Sequence, residues 1–235
     1  MDRSRVVKDS SEILDVISDG GVGIIPFDVA YAIVGNSEKA IKTIFKAKNR
    51  SFDKPSGMFS NWELFNEIQI VGQKERDIIQ CVTIDNDLPM SSVAPFHEDH
   101  PFFKNVNPFV LQNSSKAGTL DMLMNAGMLH NEMTKQSLDR GIPVFGSSAN
   151  TSLQGSKYRL GDIETPVLDA ADIKIDYGVS KYENKSGYSS TIIDLRDFKT
   201  IRVGVCYDLI CNLLMENFSI DLKSIGTANE RAALV

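Results

Sequence analysis

The sequence predicts one mixed α/β (α+β) domain, and three observations carry that prediction. Short apolar runs of strand character interleave with amphipathic stretches of helical period along the chain. The 235 residues are 42% apolar and 24% charged, enough to bury a sizeable core and too apolar for a disordered chain. No internal repeat, low-complexity tract or linker divides them. Residues 1–218 are therefore expected to form one domain, and residues 219–235, with small and polar residues between short apolar ones, a C-terminal tail.

Taken in order, Asp9 and Glu12 have capping-box spacing, and Ile13, Leu14 and Ile17 form one stripe that Gly20 closes, predicting a helix over 10–19. Residues 22–25 read as a buried strand stopped by Pro26, and 31–34 as a second. From Ser37, Ala40, Ile41, Ile44 and Phe45 face inward and the charges outward, the pattern of a surface helix ending near Lys48. Helices are also expected over 74–82, 131–140 and 208–216. Strands are expected over 142–145, leading into a polar turn at 147–150, and over 173–176, 191–194 and 200–203.

The formal charge of −6 argues against a protein whose main work is coating nucleic acid or an anionic membrane. The charged N-terminus has no apolar run of the secretory type, and the most apolar stretch, 22–34, is interrupted by Pro26 and Asp28. Cys81, Cys206 and Cys211 lack CxxC spacing and read as reduced core thiols, so a cytoplasmic location is expected.

Several motifs fail on inspection. Gly141-x4-Gly146-Ser147-Ser148 lacks the lysine of a phosphate loop, and Gly21-Val22-Gly23 precedes a strand where a dinucleotide turn would follow one. His97-Glu98-Asp99-His100 lies among prolines and phenylalanines with no helix to aim both rings, so no metal site is assigned. No G-x-S-x-G elbow is present, and three scattered histidines define no triad.

Chemistry concentrates elsewhere. Lys42, Lys46, Lys48, Arg50 and Lys54 gather positive charge in an otherwise acidic chain. Taken alone, such a run reads first as a solvated helix face leading into a loop. If the chain is extended after the helix, Lys48 and Arg50 point to one side and form a phosphate clamp. Around this run stand Pro26-x-Asp28-x-x-Tyr31, Ser148-Ala149-Asn150-x-Ser152, Ser190-Thr191-Ile192-Ile193-Asp194 and Ile201-Arg202-x-Gly204. Their order and spacing, from about Gly20 to Gly204, resemble the YrdC family of threonylcarbamoyl-AMP synthases, marked by P-T-D-T-x-Y-G, K-x-R with a following K-P, S-A-N-x-S-G, S-T-I-x-D and a late R-x-G.

The resemblance implies a twisted, largely open mixed sheet with flanking helices and a wide positively charged cavity. It implies a reaction in which bicarbonate and the amine of L-threonine give a carbamate that attacks the α-phosphate of ATP, with Mg2+ accompanying the nucleotide. Pyrophosphate leaves, and the N-carbamoyl adenylate goes on to an adenosine in transfer RNA, with tRNA and tRNA-modification proteins as downstream partners. Carried over by position, Lys48 and Arg50 are the catalytic clamp. Lys48, Arg50, Lys54, Ser148, Asn150 and Arg202 hold the nucleotide, while Phe27, Asp28, Val29, Tyr31 and Ser190 face the small substrate.

The departures cluster. Both hydroxyls of P-T-D-T are replaced, by Phe27 and Val29, and the arginine of the family's V-R-x-P is absent around Leu123-Met124-Asn125-Ala126, with Lys116 a candidate substitute. Leu153 stands where S-A-N-x-S-G ends in glycine. These losses fall on the half expected to hold threonine. The reading is an ATP-dependent enzyme making an N-carbamoyl adenylate with an altered amine site. Its rival is a non-catalytic paralogue of the same fold that binds nucleotide or structured RNA through residues 42–54.

Overall fold

The computed structural model describes residues 2–51 and 53–227. Helix α1 (Arg3–Ser18) begins seven residues before the expected start, because Asp2 caps it by accepting from the Ser4 backbone N–H. Asp9, expected to be the cap, lies inside the helix and accepts from the Tyr177 hydroxyl at 2.8 Å. Strands β1 (Gly23–Pro26) and β2 (Tyr31–Gly35) form an antiparallel pair, and α2 (Glu38–Ala47) follows, capped by Ser37 at 3.0 Å from the Ala40 N–H.

Next come β3 (Gly57–Phe59), α3 (Trp62–Ile68) and α4 (Gln73–Gln80), which runs on as a π-helical turn over Cys81–Asp85. Strand β4 (Met90–Pro95), the short α5 (Pro108–Gln112), β5 (Ser115–Lys116) and β6 (Thr119–Met124) lead to α6 (Met128–Arg140). Gly141 ends α6 at φ 64°, the left-handed conformation that favours glycine. The strand expected over 142–145 lies three residues later, as β7 (Phe145–Ser148). The chain closes through α7 (Thr165–Leu168), β8 (Ile173–Lys174), β9 (Ile192–Asp194), β10 (Thr200–Arg202), α8 (Tyr207–Phe218) and α9 (Leu222–Ile225). Ile220 and Leu222, in the stretch set apart as a tail, are buried in the core; residues 228–235 of that tail lie outside the described residues.

The strands form one mixed sheet in the order β10-β9-β4-β6-β3-β7-β2-β1-β8, with β5 paired beside β6. Alternation along the strands divides its two faces. Ile24, Ile33, Leu120 and Met122 enter the cluster that α2 covers with Ala40, Ile41, Ile44 and Phe45. Ile25, Ala32 and Val34 face α1 and α6, which supply Ile13, Leu14, Ile17, Leu129 and Met133. Beyond that cover, β6 turns Thr119, Asp121 and Leu123 toward a cavity. Among the described residues, no helix is long and apolar enough to cross a membrane.

Candidate functional site

The cavity has a volume of about 510 Å³, the size of a small-molecule site. Its lining is divided in character. Phe27, Val29, Met58, Phe59 and Leu123 form an apolar wall, while Arg50, Lys54, Lys116, Arg196 and Arg202 bring five cations against the carboxylates of Asp53, Asp121 and Asp194.

Arg202, on the edge strand β10, is held by Ser190: Nε donates to the Ser190 carbonyl and Nη2 to its hydroxyl, both at 2.9 Å. The Ser190 hydroxyl in turn lies 3.2 Å from that of Ser91 on β4. This geometry needs Gly204, where a Cβ would meet the Ser189 carbonyl oxygen at 2.3 Å and the Ser190 carbonyl carbon at 2.4 Å. Burial lowers the pKa of the Arg202 guanidinium, an effect that Asp121 opposes.

Arg50 enters the cavity by a different route from the one expected. Lys48 is the helical C-cap of α2, and Asn49 then takes a left-handed conformation at φ 49°. The extended backbone required for Lys48 and Arg50 to share one side is absent, so that expectation is corrected. Lys48 is 1% exposed and does not line the cavity; its ammonium donates to the Ser148 carbonyl and, at 2.6 Å, to the Asn150 carbonyl. Burial first, and then the Arg50 charge, lower its pKa to about 7. Arg50 donates from Nε to the Lys54 carbonyl at 2.9 Å and from Nη2 to the Pro55 carbonyl at 2.6 Å, wrapping the loop around its own guanidinium. Burial, reinforced by Arg202, pulls its pKa down to about 10, so it remains a cation at neutral pH.

The other positions divide similarly. Ser148 lines the cavity and donates to the Asn150 side-chain oxygen, while the Asn150 amide donates to the Thr151 carbonyl at 2.7 Å and faces the turn. Phe27 and Val29 line the apolar wall, where the Phe27 ring meets Phe59 edge-on at 5.0 Å and His130 at 4.9 Å. Asp28 is not part of the lining: it packs on Gly127, where a Cβ would come within 2.3 Å of its carboxylate. Tyr31 reaches the lining, but its hydroxyl sits 2.8 Å from both Asp176 Oδ1 and the Gly178 carbonyl, on the far side of the strand pair. The basic run is likewise dispersed, since Lys48 is buried, Arg50 turns inward and Lys42 pairs with Glu38 at 2.6 Å.

Sequence reasoning missed Asp121, Ser91, Ser114, Phe59 and Arg196. The one available signal was Asp121, a lone acid in the apolar run 119–124. Its Oδ1, together with the hydroxyls of Ser114 and Ser147 on the same cavity wall, is buried without a hydrogen-bond partner. Burial raises the Asp121 pKa to about 6 against the pull of Arg202, Ser91 and Arg50. His100 of the histidine pair accepts from the Phe102 N–H at 3.2 Å, and among the described residues no group of three or more His, Cys, Asp or Glu side chains could hold a metal.

A family model, Sua5/yciO/yrdC, described as telomere recombination, matches residues 15–204. A Methanocaldococcus jannaschii protein provisionally named a threonylcarbamoyl-AMP synthase is 25% identical over 192 residues, covering 80% of each chain. Among solved structures, a hypothetical protein of Streptococcus mutans superposes with a TM-score of 0.75 at 18% identity, covering 89% of this chain and 91% of its own. The P. abyssi Sua5 complexed with L-threonine gives 0.64 at 20% identity, with 87% of this chain matched to 55% of that one, so this chain spans about half of that protein. The order of the motifs, the twisted mixed sheet with flanking helices and the extent of the matched model agree: the chain belongs to the Sua5/YciO/YrdC family.

Proposed function

We propose that this chain is an ATP-dependent nucleotidyltransferase that forms an N-carbamoyl adenylate from bicarbonate, an amine and ATP, with an amine site altered from one built for L-threonine. The observation that carries the reading is the meeting, in one cavity, of two inward-facing guanidinium groups, Arg50 and Arg202, with an apolar wall headed by Phe27 and Val29. The relative named for this activity supports the reaction class.

The reaction joins a carbamate oxygen to the α-phosphorus of ATP and breaks the bond to the departing pyrophosphate. It asks for charge stabilisation and in-line placement more than for a nucleophilic side chain. Arg50 and Arg202 supply planar forks for phosphate oxygens, with Lys54 beside them. Ser148 offers its hydroxyl oxygen to the nucleotide as an acceptor, its proton being donated to the Asn150 side chain. Asn150 and Lys48 act behind it, since the Lys48 ammonium ties down both carbonyls of the turn that carries Ser148.

The donor set fits a Mg2+ that arrives on the triphosphate with most of its waters, for which one or two carboxylates suffice. Asp53, exposed beside Lys54, is the carboxylate suited to that position. Bound there, the ion would neutralise phosphate charge. On this reading the protein works in the ATP-rich cytoplasm and its product passes to transfer RNA.

The amine half differs from the phosphate half. A site that hydrogen-bonds a substrate hydroxyl rejects analogues by about 10⁴-fold, and such selectivity needs polar partners. Here Phe27 and Val29 present carbon, Asp28 packs elsewhere and the Tyr31 hydroxyl is already bonded. The direct test is to incubate the protein with ATP, Mg2+, bicarbonate and single amines and to identify the nucleotide product by mass. An N-carbamoyl adenylate supports the reading, and bound but unchanged ATP with every amine overturns it in favour of a binding module.

A further inference from the structure

We propose that Asp121 receives the ammonium group of the amine substrate and takes a proton from it, an assignment that rests on the carbamoyl-adenylate reading of the same cavity. Of the three carboxylates in the lining, Asp194 is engaged by Arg196, through Nε at 2.9 Å and Nη2 at 2.6 Å, and Asp53 accepts from the Ser51 hydroxyl at 2.9 Å on an exposed loop. Asp121 differs from both. It projects from β6 between β4 and β3, beside Gly57, where a Cβ would come only within 3.4 Å of its carboxylate.

Two cations act on Asp121 without pairing with it. Arg50 donates to the backbone of its own loop and Arg202 to Ser190, and among the described residues neither makes an ion pair with this carboxylate. The result is a half-buried carboxylate on the cavity wall whose Oδ1 has no hydrogen-bond partner, with the Ser91 hydroxyl favouring its charged form. A carboxylate short of hydrogen-bond donors is costly to bury, and its cavity-facing edge is where a ligand N–H would offset that cost. The neighbouring arginines suit the anionic carbamate and phosphate, so the cavity presents one acceptor for the cationic end of a substrate and two donors for the anionic end.

The chemistry follows from the placement. An ammonium R–NH3+ has no lone pair; transfer of one proton to the Asp121 carboxylate leaves R–NH2 and a carboxylic acid. The amine lone pair then forms the C–N bond to bicarbonate carbon, and water departs to leave R–NH–CO2−. A carboxyl group with a pKa near 6 is better matched to this transfer at neutral pH than an ordinary aspartate. The charged groups acting on it are Arg50 from the loop after α2 and Arg202 from β10, with Asp194 across Val93 on β9, its partner Arg196 just beyond that strand, and Lys116 of the paired β5 on the same cavity.

The test uses calorimetry with the full chain saturated with α,β-methylene-ATP, n-propylamine and L-threoninamide as probes, and Asp121→Asn beside the parent. The expected result is a loss of amine affinity of roughly 10-fold or more in Asp121→Asn, with nucleotide affinity unchanged or tighter, since an anion has been removed. In the parent alone, amine affinity should fall as the pH drops below about 6, a comparison that needs no variant. Pyrophosphate release with ATP and bicarbonate should fall by at least roughly 100-fold in Asp121→Asn while the KM for ATP holds. Amine binding equal in parent and variant, loss of nucleotide and amine together, or no amine binding by the parent each overturns the assignment. If the parent binds amine through Asp121 yet releases no pyrophosphate with any amine, the carbamoyl-adenylate reading fails and the ammonium site stands.

Discussion

Lys48 and Arg50 lie two positions apart and face different surroundings, because Asn49 reverses the chain between them. Lys48 anchors the turn at Ser148 to Asn150 from behind, and Arg50 alone reaches the cavity. Arg50→Ala should therefore weaken ATP binding by about 1.5–3 kcal/mol in calorimetry, with Arg50→Lys recovering part of it because a point charge replaces a fork. Equal ATP affinity in both variants and the parent would remove Arg50 from the phosphate site. His130 and Asp121 make a second prediction, on stability. His130 is fully buried and held neutral down to about pH 4, so its contribution is present above pH 6.5 and is lost as the pH falls toward 4. Asp121 is held at about 6, above its ordinary 3.8, so its contribution is present below 3.8 and is lost as the pH rises through 6. Each amounts to roughly 3 kcal/mol, with opposite sign, so the two offset each other between pH 4 and 6. Urea unfolding of His130→Gln should show stability falling from pH 4 to 6, and Asp121→Asn should show it rising. Parallel pH profiles for both variants would contradict these assignments. Arg50, Arg202 and Ser190 were legible in the sequence as motif members, whereas Asp121, a lone acid in an apolar run with no motif around it, could be placed on the cavity only once β6 lay between β3 and β4.

Helix α2 was readable to within a residue, since burial on one side imposes a 3.6-residue period, whereas the start of α1 was set by its Asp2 cap and not by its apolar stripe. Strands β3, β4 and β6 were not read as strands. Their outward positions carry Gly57, Ser91, Thr119 and Asp121 because that face lines a cavity, and the inward residues alone form no continuous apolar run. The cavity-lining surface itself therefore obscured the strand signal. Edge strand β10 depends on Gly204, which lets the segment 200–205 press against 189–191 and also donates its N–H to the Thr191 hydroxyl at 3.2 Å. Gly204→Ala should force this edge apart, costing about 1–3 kcal/mol in thermal or urea unfolding and releasing Arg202 from Ser190. An unchanged midpoint together with unchanged ATP affinity would show that the close approach is dispensable.

The whole chain combines a sheet face covered by α1 and α6 with an adjoining uncovered stretch that forms the cavity, and the chemistry divides along that cavity. On the proposed reading its arginines take phosphate, and its aromatic and branched wall takes an amine other than threonine. The measurement that bears most directly on this account is the rate of pyrophosphate release from ATP with bicarbonate and each of a panel of amines, L-threonine included, for the parent and for Phe27→Thr combined with Val29→Thr. Bicarbonate-dependent release is expected with at least one amine lacking threonine's hydroxyl and carboxylate, with slow release on threonine and a gain on threonine in the double variant. Efficient threonine turnover by the parent would contradict the altered amine site, and absence of release with every amine would contradict the enzyme itself.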